Sequence, residues 1–128
     1  MRKLTPKEYR KREKILMRRL GMRPQPLSGA GWIRKEDGED DNFLVQLKST
    51  QADSIGLKMK DIQILFDHAQ GVAKTPLFMV DFVDYNVQLV CIRLQDIAKV
   101  KLLLPDQVLE QSAAETEISL SDLDVFPE

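Results

Sequence analysis

Among 128 residues there is one cysteine, Cys91, and one histidine, His68. A lone cysteine excludes an internal disulfide. Because Cys91 lies in the apolar run Val87-Gln88-Leu89-Val90-Cys91-Ile92, it reads as a small buried hydrophobe rather than a nucleophile. A lone histidine with no second histidine or acid at ligand spacing reads as a surface residue. No apolar run approaches the roughly eighteen residues that a membrane helix needs, and the N-terminal stretch lacks the apolar core of a secretion signal. These absences give the expectation of a soluble, cytoplasmic protein with no membrane partner. Bases are missing from the other end: residues 105–128 carry seven acids and no Lys or Arg.

What is present suffices for one domain. A hydrophobic content of 43% over this length supports a single core, taken here as residues 1–104, with no second domain. The net charge of −1 conceals two opposed ends, since residues 1–25 hold ten Lys and Arg against two Glu. A basic cluster suits phosphate binding, because each phosphate neutralised releases counterions; the solvated face of a helix accounts for it equally well. The side chains it offers include Arg10, Arg18, Arg19 and Arg23.

Thr5-Pro6-Lys7-Glu8 is a helix start with a capping threonine, a proline at the first helical position and a glutamate that completes a capping box. Gly21 is a helix stop. Between them Tyr9, Leu16, Met17 and Leu20 define the buried stripe of a basic helix over about residues 6–20. Glu13 lies on that stripe. A carboxylate on an apolar face has to be paired, either by a metal or by an ion pair with Arg10 or Lys14. Glu8 already has a capping role.

Residues 22–31, with two Pro and two Gly, read as a loop into a first strand that begins near Trp32 and closes at Asp37. Trp32 is either a core anchor or an exposed wedge. Lys35 to Asn42 reads as a charged turn. In Phe43 to Thr50 the apolar residues Phe43, Val45 and Leu47 alternate with Gln46 and Lys48, so a strand presents them on opposite faces. Met59, Ile62, Leu65, Phe66 and Ala69 give an amphipathic helix ending at Gly71, with Gln63 on its exposed side. Leu77 to Val83 reads as a strand buried on both faces, turning at Asp84-Tyr85-Asn86 into Val87–Arg93 as a hairpin. A short helix over Asp96–Leu104 follows. The expected fold is α/β, a mixed central sheet flanked by helices.

Leu20-Gly21, Ser28-Gly29-Ala30-Gly31, Asp37, Gln46-Leu47-Lys48-Ser49-Thr50, Ser54 and Pro76-Leu77-Phe78 together resemble the PD-(D/E)xK nuclease superfamily, and within it the Holliday-junction-resolvase-like endonucleases of phages and archaea. The resemblance runs from about Glu13 to Phe82, roughly half the chain. It implies a restriction-endonuclease-like core and hydrolysis of phosphodiester bonds in branched DNA, with Mg²⁺ as cofactor and Mn²⁺ as substitute. It implies Glu13, Asp37, Gln46 and Lys48 as the catalytic set. Asp37, the Gln46 side chain, the Leu47 carbonyl and Glu13 would hold the metal, and Lys48 would stand beside the attacking water. Asp40 and Asp41 are alternatives to Asp37. Ser28 and Gly29, with Ser49 and Thr50, join the arginines as DNA contacts. Gln46 stands where the family usually has glutamate, and Glu36 where glycine commonly precedes the aspartate, so weaker metal affinity is expected.

Two symmetric cuts need two sites, so the resemblance also implies a homodimer, in a host cytoplasm if the chain is phage-encoded. The acidic segment 105–128 reads as a flexible tail that binds a protein partner, folds over the basic helix in imitation of DNA, or has no role. The alternatives to an endonuclease are a non-catalytic DNA-binding recombination accessory protein and an exonuclease or nicking enzyme of the same fold.

Overall fold

The computed structural model of the chain describes residues 2–24 and 37–99. Ser28, Gly29 and Trp32, most of the expected first strand, and the tail from residue 105 lie outside them.

Helix α1 spans Pro6–Arg19. The capping box forms as its sequence dictates: the Glu8 backbone N–H donates to Thr5 Oγ1 at 3.2 Å, and the Thr5 N–H donates to Glu8 Oε1 at 3.0 Å. Gly21, at φ 77°, ends it in the left-handed region. Ile15, Leu16 and Met17 are buried, Tyr9 and Leu20 partly so. One further buried residue interrupts the apolar stripe: Arg12, which is discussed below.

Two short strands, β1 (Arg23–Pro24) and β2 (Gly38–Glu39), lead to β3 (Phe43–Thr50). Helix α2 (Met59–Gly71), strand β4 (Thr75–Phe82) and strand β5 (Val87–Cys91) follow. The five strands form one mixed sheet in the order β1-β2-β3-β4-β5. β3 and β4 are parallel, running in register from Phe43↔Thr75 to Thr50↔Phe82, and α2 is the long connection that a parallel pair requires. The β4–β5 pair is an antiparallel hairpin with Val80 opposite Leu89. Leu94–Asp96 make a 3₁₀ turn, and the chain is helical at residues 97–99, the described beginning of the expected last helix.

The period of two divides the core into layers. Phe43, Val45 and Leu47 of β3 join Leu77 and Met79 of β4 under α1, with Ile15, Leu16 and Met17. Leu44 of β3 and Phe78 and Val80 of β4 lie on the other face with Leu65 and Ala69 of α2. β4 is buried on both faces because a helix covers each. Four expectations are corrected. Arg23–Pro24, read as loop, and Gly38–Glu39, read as part of a charged turn, pair with each other as β1 and β2. Met59, read as part of the apolar stripe of α2, is exposed at the first position of the helix. Cys91 is only half-buried, because β5 is an edge strand. Among the described residues no helix is long and apolar enough to cross a membrane.

Candidate functional site

The edge of β3 next to β2 is where backbone and acidic side chains meet. β2 is short, and its pairing with β3 stops at Gly38↔Val45. Next to Gly38, Asp37 continues the contact with β3. Its N–H donates to the Val45 carbonyl at 2.9 Å, and its Oδ2 accepts from the Leu47 N–H at 2.6 Å. A strand residue presents its N–H and C=O to the same side, so the Leu47 carbonyl faces this fork as well.

A missing side chain lets α1 reach the fork. A Cβ on Gly38 would lie 2.5 Å from Met17 Sδ and 3.3 Å from Met22 Cβ, so the β2 backbone rests directly on the helix. Glu13, one turn before Met17, is thereby brought to Asp37. Desolvation pushes the Glu13 carboxyl from its ordinary 4.5 up to about 8, helped by the Asp37 charge, a hydrogen bond to Asp37 and the Asp81 charge, against a smaller opposing pull from Arg10. Two carboxyls are thus pressed together at the rim of the core, in mutual conflict unless a proton or a cation lies between them.

Behind Glu13 is an ion pair that the sequence reading missed. Arg12 donates from Nε to Asp81 Oδ2 at 2.5 Å and from Nη2 to Oδ1 at 3.0 Å. Ser49 Oγ donates to Oδ2 at 3.2 Å and Gln88 Nε2 to Oδ1 at 2.9 Å. The signal was legible: Arg12 interrupts the apolar stripe of α1, and Asp81 interrupts an otherwise apolar β4. Two opposite charges on buried faces have to find each other.

The remaining expected residues are distributed by strand alternation. Gln46 and Lys48 are on the α2 face of β3, with Leu44, whereas Glu13 comes from the α1 side. Lys48 Nζ donates to the Gly56 carbonyl at 3.2 Å and lies 3.8 Å from the Asp61 carboxylate in the first turn of α2. The structure therefore brings together Glu13, Asp37 and the Leu47 backbone, and leaves the Lys48 amine on the far face. Ser49, expected to face DNA, is committed to Asp81. Thr50 Oγ1 accepts from the Ala52 N–H at 3.0 Å. Asp40, an alternative to Asp37, caps its own turn by accepting from the Asn42 and Phe43 N–H groups, and exposed Asp41 lies 3.6 Å from Arg23. Arg18 and Arg23 are exposed, and Arg10 and Arg19 half-buried.

The donors at the fork are all hard oxygens, which suits Mg²⁺. Among the described residues no group of three or more His, Cys, Asp or Glu could hold a metal ion, and Glu13 and Asp37 are the described acids at the fork. Mg²⁺ sites with one or two carboxylates, completed by waters and phosphate oxygens, are common, and the donor set fits. Compared with family models, curated proteins and solved structures, the chain shows no match.

Proposed function

We propose that the protein is a metal-dependent DNA endonuclease of PD-(D/E)xK type, with a restriction-endonuclease-like core, acting on branched DNA such as Holliday junctions. The observation that carries the reading is the meeting of Glu13 and Asp37 beside the Leu47 backbone, on the β2 side of β3. An acid from the first helix, an acid at a strand end and a main-chain carbonyl from the next strand are three of the four donors the resemblance calls for; the fourth, the Gln46 side chain, lies on the α2 face.

Glu13 and Asp37 would hold the cation through carboxylate oxygens and Leu47 through its carbonyl. When bound, Mg²⁺ or Mn²⁺ supplies a Lewis acid for the scissile phosphate and lowers the pKa of a coordinated water. The Leu47 N–H fixes the Asp37 carboxylate, so its remaining lone pairs are aimed without a search through rotamers. Glu13, raised to about 8, holds a proton at neutral pH and would have to release it to hold a cation. Arg10, Arg18, Arg19 and Arg23 on and after α1 offer the phosphate backbone its counter-charge. Gln46 and Lys48 would act from the α2 side, Lys48 by leaving Asp61 for a phosphate oxygen.

The test is cleavage of a labelled four-way junction beside linear duplex, with and without about 10 mM Mg²⁺. Wild type should cut the junction only with metal. Asp37→Asn and Glu13→Gln should each lose cutting by roughly 10²-fold or more while binding the junction as before. Undiminished cutting by both variants overturns the assignment. A specific observation favours a second reading, a non-catalytic junction-binding protein: the Lys48 amine is held by Gly56 and Asp61. Tight, salt-sensitive junction binding with no cutting in Mg²⁺ or Mn²⁺ selects it.

A further inference from the structure

Helix α1 meets the sheet at two places on opposite sides of its apolar stripe. On the β2 side Met17 sits on Gly38, where a Cβ would lie 2.5 Å from its sulfur. On the β4 side Arg12 forks onto Asp81 through Nε and Nη2, with both residues buried. Glu13 lies one turn before Met17, hence on the Met17 side, and Arg12 points roughly 100° round the helix from it. Ile15 and Leu16 complete the buried stripe; their burial drives the helix onto the sheet but, being non-directional, does not select its roll.

The roll matters for Glu13. Turning a helix by about 20° carries a carboxyl some ~6 Å from its axis through roughly 2 Å, enough to break a contact at hydrogen-bond range. The Arg12 fork resists that turn, because a planar guanidinium bound through two nitrogens to one carboxylate holds a fixed geometry. Asp81 cannot follow the helix: Ser49 Oγ of β3 donates to its Oδ2 and Gln88 Nε2 of β5 to its Oδ1. Stability alone does not account for such a pair. Desolvation of two buried ions offsets much of their attraction, and apolar residues of similar volume commonly serve as well.

We propose that Arg12 and Asp81 are positioning residues: their buried clasp sets the roll of α1 and so brings the Glu13 carboxyl against Asp37. Both act through Glu13. Ser49 and Gln88 belong to the same device, since they hold the Asp81 carboxylate from the strands on either side of β4. That Glu13 and Asp37 receive a cation rests on the proposed function; that the clasp brings them together does not.

The test is a double-mutant cycle in metal-free buffer without DNA, so it fails or succeeds independently of the nuclease reading. Glu13→Gln and Asp37→Asn are made singly and together in the wild-type chain and in an Arg12→Met, Asp81→Leu chain, and urea titrations give the stability of each protein. With the clasp present the two changes should be non-additive, because each alters the group that the other faces. Without it they should become additive. A merely structural role for the clasp would shift the whole set and leave the non-additivity in place. Arg12→Lys supplies a second background, which keeps the charge but replaces the fork by a single ammonium; the non-additivity should shrink there as well. Equal non-additivity with and without the clasp, or undiminished non-additivity in Arg12→Lys, overturns the proposal. So does additivity in the wild-type chain, which would mean that Glu13 and Asp37 do not meet.

Discussion

Arg12 of the first helix and Asp81 of the fourth strand, 69 residues apart in sequence, bind each other through two hydrogen bonds in the protein interior, where they are 2% and 0% exposed. Arg12 precedes Glu13, so the pair fixes the rotation of α1 about its axis at the point where Glu13 must meet Asp37. Ser49 and Gln88 satisfy the rest of the Asp81 carboxylate, so the strands on both sides of β4 are tied to the same group.

Breaking this pair from one side leaves a buried charge without a partner. Asp81→Leu and Arg12→Met should each lower unfolding free energy by about 3–5 kcal/mol, whereas the double variant should recover most of the loss, because desolvation of both ions is then avoided. Urea titrations of the four proteins check this. A double variant as unstable as the sum of the singles would show that the ions do more than compensate each other.

The raised Glu13 carboxyl makes stability depend on pH in a stated direction. In metal-free buffer the folded chain keeps the Glu13 proton up to about 8, and the unfolded chain releases it near 4.5. The unfolded state thus binds fewer protons in that window, and stability from this group falls as pH rises through it. The penalty is absent below 4.5 and complete above about 8. Glu13→Gln should flatten the fall in Tm across the window relative to wild type. Parallel curves for the two proteins reject the placement of the Glu13 carboxyl against Asp37.

Mg²⁺ should relieve the same conflict. Binding to the folded state alone raises Tm, and it requires carboxylates free of protons, so the increase should be larger at about pH 8.5 than at about pH 5.5. Asp37→Asn should show little increase at either pH. Thermal melts with and without metal give the answer.

Gly38 is where β2 rests on Met17. Gly38→Ala should cost about 1–3 kcal/mol by forcing the strand away from a buried side chain. It should also weaken Mg²⁺ stabilisation by parting Asp37 from Glu13. An alanine variant with wild-type Tm and metal response would mean that Met17 yields without moving the strand.

Lys48 makes a separate prediction. Its contacts with Gly56 and Asp61 are partly exposed, so Lys48→Ala should change stability by less than about 1 kcal/mol. If Lys48 serves the proposed reaction, cutting should fall by roughly 10²-fold. Intact cutting with intact stability assigns Lys48 to tethering the loop before α2.

Local chemistry alone settled much of this chain. The capping box at Thr5 and Glu8, the stop at Gly21, the alternation of Phe43 to Lys48 and the hairpin after Phe82 are short-range patterns, and each formed where its residues dictated. That Gln46 and Lys48 oppose Leu47 was also readable, because a strand has only two faces. Which helix covers which face is a long-range outcome, and it put Glu13 on the side away from the Lys48 amine. The partnership of Arg12 with Asp81 and the fit of Gly38 against Met17 belong to the same class. They join residues far apart in sequence, and no local period encodes a contact that exists only once two layers of the protein close on each other.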